Sequence, residues 1–403
     1  MPDTAKSPAE LRSRTEALVP ILRERAAEAE ALRRLPVETV RDLVETGLIR
    51  ATLPSRLGGT EIDYRTVMEL VAIIAHGCGS TAWVACNFLS CTFKLALWPR
   101  EAQDEVWNDS PDALLTGTLV FPAGRAKRVG GGYVLSGRWP FGSGINHADW
   151  NFFGATEEDG TLSMFLVPKS DYTIIDTWRA AGLRGTGSHH ITVDDMFVPD
   201  HRRLRAEDTR DGNSPGNAVN TGAVYRLPLF SMFFTWVGAA VLGIAESAVE
   251  NYVAATRNRL ANYSGQRVAD YGTVQVNLAE AMSSVEAARR LFLQNCDDAM
   301  AIAKAGDLPT LEQRARYRAE GAFASTLCCR AVDLVFTASG GGGLYDDNSL
   351  SRSFRDIHAG RAHITQNWEP NATTYGRVAL GLEMDNPLLR SVRRGIHPPG
   401  DEE

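Results

Sequence analysis

Two histidines stand five residues apart in SRSFRDIHAGRAHITQNWEP, residues 351–370. Histidine can ligate a metal or move a proton near neutral pH. On a helix of 3.6 residues per turn, a five-residue offset rotates the side chain by roughly 140°. His358 and His363 therefore cannot share one face, and a two-histidine metal site of the HExxH kind is geometrically excluded. No other set of Cys, His and Asp shows ligand spacing along the chain, so no metal is expected. The spacing lets one of the pair face a cleft without saying which. A solvated or hydrogen-bonded structural residue is the ordinary alternative for either.

Four other segments carry residue types suited to ligand binding. In TASGGGGLYDD, the backbone of Gly340 to Gly343, including Gly341 and Gly342, can approach a phosphate or a flat ring closely. The same run also serves as a linker or helix stop. It is not a GxGxxG after a strand, so no Rossmann site follows. In GRWPFGSGINHADW, Trp139 and Phe141 precede Gly142-Ser143-Gly144. Small residues around one hydroxyl, beside aromatics, suit a flat heteroaromatic ligand, although a strand ending in a tight turn uses the same letters. GLRGTGSHHITVDDMFVP places three glycines in a loop before a strand, and its adjacent His189 and His190 read as structural. Arg257 and Arg259 lie late in a helix, where a solvated face competes with one arginine anchoring an anion.

The elements that must position these residues change texture twice. Residues 8–108 space their apolar side chains at three and four, with Ser7 ready to cap the first helix and Pro8 at its first position. Residues 115–204 become short runs rich in Val, Thr, Phe and Trp between Gly and Asp turns, the pattern of a β domain. Long helices return from about residue 227, and the tail RSVRRGIHPPGDEE is expected to fray. We therefore expect a mostly α protein with a central β domain: an N-terminal helical domain over 1–112, a middle β domain over 113–210, and a helical bundle over 211–403. A cleft where three such surfaces meet favours a cofactor.

Bulk properties narrow the function. At 403 residues, 44% hydrophobic and 23% charged, the chain has ample apolar mass for several subdomains. Its net charge of -7 argues against a general nucleic-acid binder. The longest apolar candidate, 227–245, contains Pro228 and reads as buried core, so no membrane association is expected. The N-terminus lacks an apolar h-region, and six cysteines without CxxC spacing read as free thiols in a reducing cytoplasm.

Together WPFGSG, GLRGTGS, GGGGLY and RDIHAGRAHITQNW resemble the acyl-CoA dehydrogenase superfamily, with a helical domain, a middle β-barrel and a C-terminal four-helix bundle. More narrowly they resemble its two-component, reduced-flavin-dependent aromatic monooxygenases, among them 4-hydroxyphenylacetate, hydroxylated-steroid and indole hydroxylases and dibenzothiophene monooxygenase. Dehydrogenases that draw their base from the bundle carry a Glu in a YEGT-like motif shortly after RD. Here His363 and Ile364 occupy that neighbourhood, and Glu369 lies further on. The resemblance implies the oxygenase component of a flavin monooxygenase, using FADH2 or FMNH2 and O2 through a flavin C4a-hydroperoxide to hydroxylate a phenolic, indole or polycyclic small molecule. A separate NAD(P)H-dependent flavin reductase, a homotetramer and a cytoplasmic location go with it. It assigns His363 to the flavin face as a base or a manager of the peroxide proton, and Ser143 to flavin N5. Trp139, Phe141, Arg257, Gly341 and Gly342 become flavin contacts. Asn87, Phe88, Cys91 and His358 become substrate contacts, Cys91 standing where some relatives have His. Oxygenation at nitrogen or sulfur stays open as a second outcome, with acyl-CoA dehydrogenation behind it.

Overall fold

The N-terminal residues fold as six helices: α1 Pro8–Glu24, α2 Ala26–Leu32, α3 Val37–Glu45, α4 Tyr64–Gly77, α5 Gly79–Leu95 and α6 Arg100–Trp107. The computed structural model describes residues 7–384 and 386–389; the tail expected to fray lies outside them. Ser7 accepts from the Glu10 N–H and Asp63 from the Thr66 N–H, so α1 and α4 each start on a side-chain cap. Eight strands follow: β1 Leu115–Thr118, β2 Gly124–Val129, β3 Gly132–Gly142, β4 Trp150–Glu157, β5 Leu162–Pro168, β6 Thr173–Ile175, β7 His189–Pro199 and β8 Arg203–Arg205. They form one sheet in the order β6-β7-β3-β2-β4-β5-β8, with β1 added parallel to β4. The sheet wraps its own apolar centre, in which Trp139, Phe153 and Phe165 are fully buried.

Five further α-helices follow among the described residues: α7 Phe233–Thr256, α8 Gly272–Lys304, α9 Leu311–Ser339, α10 Ser349–Arg361 and α11 Trp368–Ala379. A capping box between Thr310 and Gln313 starts α9, and Asn348 caps α10. Helix α7 packs against α4, α5, α8, α9 and α10. At its crossing with α4, a Cβ on Gly243 would lie 2.2 Å from the Ala72 carbonyl oxygen, so only glycine allows that approach. Two helical segments could cross a bilayer by length and composition alone. Leu229–Thr256 and Leu311–Leu344 have the length and apolarity. Most of the first is buried against protein, where its apolar surface forms the bundle core.

One junction ties the three regions together. Glu30 on α2 accepts from Arg352 Nε (2.9 Å) and Arg355 Nη1 (2.7 Å) on α10. Burial pushes the Glu30 carboxyl up, but the hydrogen bonds to the two guanidinium groups outweigh it and leave it below its ordinary value. Beside them Asp356, fully buried, accepts the Leu183 N–H at 2.6 Å from the loop before β7. A Cβ on Gly182 would lie 1.9 Å from the Arg355 carbonyl oxygen, so that loop touches α10 backbone to backbone.

Burial pushes the Asp356 carboxyl up to about 7, against the lowering effect of the Leu183 N–H. A carboxyl raised in the fold favours its protonated form there, so this contribution is complete below about pH 4 and is lost as pH rises to about 7. Asp356→Asn keeps an acceptor and does not titrate. Thermal melts should show its stability rising relative to the parent between pH 4 and 7, then staying level. Asp356→Ala should be less stable throughout, by about 1–3 kcal/mol, because a buried N–H loses its partner. A constant difference between the Asn variant and the parent would mean that Asp356 is ionised in the fold.

Candidate active site

Trp83 and Asn87 are four residues apart on α5 and so lie on one face of it. The Trp83 indole donates to Ser143 Oγ at 3.1 Å, and Asn87 Nδ2 donates to the Ser143 carbonyl at 2.8 Å. The turn that delivers Ser143 is strained. Phe141 adopts φ +66° and stands 62% exposed, and the Ser143 N–H bonds back to the Phe141 carbonyl. A large aromatic held outward in the left-handed region marks a functional turn rather than an economical one. The Gly144 N–H bonds to the Thr186 carbonyl, so the GSG turn and the GLRGTGS loop are joined. Ser143 Oγ lies 2.7 Å from Ser188 Oγ, which lies 2.7 Å from Thr186 Oγ1.

His363 reaches the same place from the end of α10. Its ring meets the Trp83 indole edge-on, with centroids 5.7 Å apart. Thr365 approaches its Nδ1 with the hydroxyl (2.9 Å) and the backbone N–H (3.3 Å). A backbone N–H can only donate, so Nδ1 is the acceptor and the neutral ring carries its hydrogen on Nε2. Burial, with the buried Arg318 guanidinium adding to it, pushes the imidazole down to about 4. His363 is therefore a neutral donor, not a base titrating near pH 7. A neutral ring with its hydrogen on Nε2 suits the handling of a proton on oxygen.

The structure separates several other expected site residues from this cluster. Trp139 points into the sheet interior, 4.5 Å from the Phe153 ring, with its indole donating to the Gly154 carbonyl. Strand alternation sends it inward, while Ser143, beyond the strand, is free to face α5. Phe88 and Cys91 are fully packed between α5 and its neighbours, and the Cys91 thiol donates to Asn87 Oδ1. Cys91 supports Asn87 from behind, and Phe88 packs beneath Gly144, next to Ser143. His358 faces α9, where its Nε2 lies 2.9 Å from Asp333 Oδ1 and its Nδ1 3.5 Å from Cys329 Sγ. These three groups lie within ligand distance of one another, which sequence spacing had not suggested. Arg361 also hydrogen-bonds the Cys329 thiol, and that cation opposes a metal ion there. Arg257 caps α7 and is exposed, whereas Arg259 donates to the carbonyls of Ala338 and Ser339 at the head of the glycine run. Gly341 and Gly342 are exposed, with open space around each. Trp83, Thr186, Ser188 and Thr365 were not singled out as site residues. The GLRGTGS motif offered a signal for Thr186 and Ser188, and RDIHAGRAHITQNW one for Thr365.

Comparison with known proteins gives the cluster its context. Residues 12–109 match the acyl-CoA dehydrogenase N-terminal domain and residues 235–368 the acyl-CoA dehydrogenase C-terminal domain. Over 93% of this chain and all of the relative, the sequence is 35% identical to the flavin-dependent monooxygenase oxygenase subunit HsaA of Rhodococcus jostii. The chain belongs to the acyl-CoA dehydrogenase superfamily. Within it the chain is the oxygenase component of a flavin-dependent monooxygenase. The FADH(2)-dependent resorcinol hydroxylase oxygenase component of a Rhizobium species is 32% identical, over 95% of this chain and 97% of the relative. XiaF from Streptomyces, solved with FADH2 and glycerol, superposes with a TM-score of 0.87 at 30% identity, covering 94% of this chain and 97% of XiaF.

The donor set of this monooxygenase fits a flavin. Ser143 offers an oxygen, His363 an N–H, and Trp83 and Phe141 aromatic surface. No carboxylate is hydrogen-bonded to Ser143, Trp83 or His363 among the described residues.

A nitrogen-detected NMR titration tests the histidine assignment. His363 should remain in its Nε2–H form down to about pH 5. Its folded value of about 4 lies below the ordinary 6.5, so the stability linked to it is complete above about pH 6.5 and is lost as pH falls toward 4. His363→Gln should flatten that slope. Protonation of His363 near pH 6.5, or an Nδ1–H tautomer, would contradict the assignment.

Proposed function

We propose that this monooxygenase hydroxylates a phenolic small molecule beside its hydroxyl group, using FADH2 or FMNH2 delivered by a separate NAD(P)H-dependent reductase. The observation that carries the proposal is the joining of Ser143 and His363 through one indole. An acceptor oxygen and a neutral donor converge in a cluster without a carboxylate base. The subunit and component names of the relatives support a separate reductase, and the resorcinol hydroxylase supports a phenol.

Reduced flavin, when bound, supplies the reducing electrons and, with O2, one transferable oxygen atom. Ser143 then holds the ring edge through its oxygen, and His363 keeps a hydrogen at Nε2 where negative charge develops on oxygen. Trp83 fixes the spacing of the two and shields them from water, which strengthens both hydrogen bonds. Asn87 holds the Ser143 backbone and presents its remaining surface to the substrate side. Phe141, exposed at the strand end, would offer the flavin an aromatic face, and the exposed Arg257, Gly341 and Gly342 would hold outer parts of a long cofactor.

That surface also supports a homotetramer. Large apolar side chains lie exposed along the last helices and turns, including Phe323, Leu344, Tyr345, Ile364, Trp368 and Leu380. An apolar surface of this kind is commonly covered by another subunit. Light scattering should give four times the 44.0 kDa chain mass, and a monomer would refute the assembly. The charge of -7 and the helices packed as core fit a cytoplasmic enzyme, which fractionation of the native host tests.

Activity is tested by mixing anaerobic protein, dithionite-reduced FAD or FMN and a panel of phenols with 18O2. The expected product gains one labelled oxygen atom. His363→Ala should lower product per flavin oxidised by on the order of a hundredfold, as for other single donors aimed at developing charge. Labelled product from amines or thioethers but from no phenol would move the reading to nitrogen or sulfur oxygenation. Dye reduction by an acyl-CoA thioester would replace it with dehydrogenation.

A further inference from the structure

The loop between α10 and α11 that carries His363 is held by side chains from α9. Ser325 Oγ donates to Gln366 Oε1, and Gln366 Nε2 donates to the Phe234 carbonyl at 3.2 Å. Two turns earlier on the same face of α9, Arg318 Nε donates to Asn371 Oδ1 at 3.0 Å, and its Nη1 donates to the Phe230 carbonyl at 2.9 Å. Asn371 Nδ2 in turn donates to the carbonyls of Ile364 (3.0 Å) and Asn367 (2.7 Å) in the loop. A carbonyl only accepts and a guanidinium only donates, so the orientation of this amide is forced. Arg318 is one of three arginines in RARYR. Arg314 and Arg316 each have a carboxylate nearby, Asp211 at 3.9 Å and Asp298 at 3.0 Å. Arg318 is only 7% exposed, yet it forms no ion pair among the described residues, and burial alone acts on its charge. A carboxylate at position 371 would cancel that charge but could not donate to the two carbonyls. The amide holds the loop and leaves the cation unneutralised.

We propose that Arg318 is a positioning residue for the oxygen transfer: through Asn371 it fixes the loop that aims His363, and its unneutralised charge favours the negative charge that develops on oxygen beside that ring. The inference rests on the flavin reading above. A guanidinium that served only to join two neutral acceptors would be costly to bury, and a neutral donor would do the same work. That cost is offset when a negative charge arrives, and the reaction brings one to His363. Arg318 is also the one charged group that acts on the His363 ring among the described residues. Burial and the guanidinium both oppose a second proton there, so the imidazole keeps its single hydrogen on Nε2.

The test uses the whole protein, first without flavin and then with it. Asn371→Asp sets a carboxylate against the guanidinium. In the flavin-free variant, nitrogen-detected NMR should show His363 taking its second proton about one pH unit higher than in the parent. With dithionite-reduced flavin, 18O2 and the phenol panel, the ratio of labelled product to hydrogen peroxide should fall about tenfold. Arg318→Lys keeps the charge, whereas Arg318→Met removes it together with both hydrogen bonds. Arg318→Lys should keep the parent's His363 titration and most of its product ratio, and Arg318→Met should lose both. A merely structural role for Arg318 does not predict that split. Asn371→Asp decides the matter by itself if Arg318→Met does not fold. An unchanged His363 titration and product ratio in Asn371→Asp, or equal effects of Arg318→Lys and Arg318→Met, overturns the inference while leaving the flavin reading intact. A parent that forms no labelled product overturns the flavin reading, and this inference with it.

Discussion

Glu30, with Arg352 and Arg355 across from it and Asp356 beside them, is the contact on which the rest of the arrangement depends. The contact spans three regions: Glu30 stands on α2, the other three side chains stand on α10, and the Leu183 N–H that meets Asp356 comes from the loop before β7. The acid and both guanidinium groups are largely withdrawn from water, so the pairs are weakly screened and strongly directional. Breaking one would leave a buried charge, which costs far more than the pair contributes net. The junction therefore works more as a device for register than as a source of stability. It fixes where α10 stands relative to the loop, and with that where His363 stands relative to Ser188.

Leu183 transmits that register into the site. It adopts φ +49°, unusual for a branched side chain, with its N–H on Asp356 and its carbonyl taking the Thr186 hydroxyl and the Trp178 indole. Both backbone polar groups are satisfied by side chains, which offsets the unfavourable torsion. On one side of Leu183 lies the interdomain ion cluster, and on the other the hydroxyl row that ends at Ser143. The backbone of Leu183 thus touches both α10 and the hydroxyl groups that lead to Ser143.

Much of the architecture was legible because periodicity and capping are local. The 3.6-residue spacing in α1 to α5, the cap at Ser7 and the Phe-containing runs of β4 and β5 each depend on a few neighbouring residues. The argument that His358 and His363 must part company was equally local, and they face different surroundings. The direction each side chain faces was not legible in the same way. Trp139 and Ser143 lie within one short motif, yet the strand turns the first into the sheet and the turn after it lifts the second out. Phe88 and Cys91 share α5 with Asn87 but point into packed neighbours. Arg259, not Arg257, meets the glycine run, because the chain turns at the end of α7.

By itself the sequence determined the kind of chemistry available: a hydroxyl between glycines, a histidine where relatives that dehydrogenate have a carboxylate, and a family pattern spread across the chain. Those are matters of residue type and order, which one dimension holds. Only the tertiary structure decided what each group does with its protons. Thr365 fixes the hydrogen of His363 on Nε2, and burial holds the ring neutral. Trp83, sixty residues before Ser143, donates to its hydroxyl oxygen, and Ser188, forty-five residues after it, meets the same oxygen. Hydrogen-bond direction depends on which donors and acceptors meet in space, and no spacing along the chain encodes that.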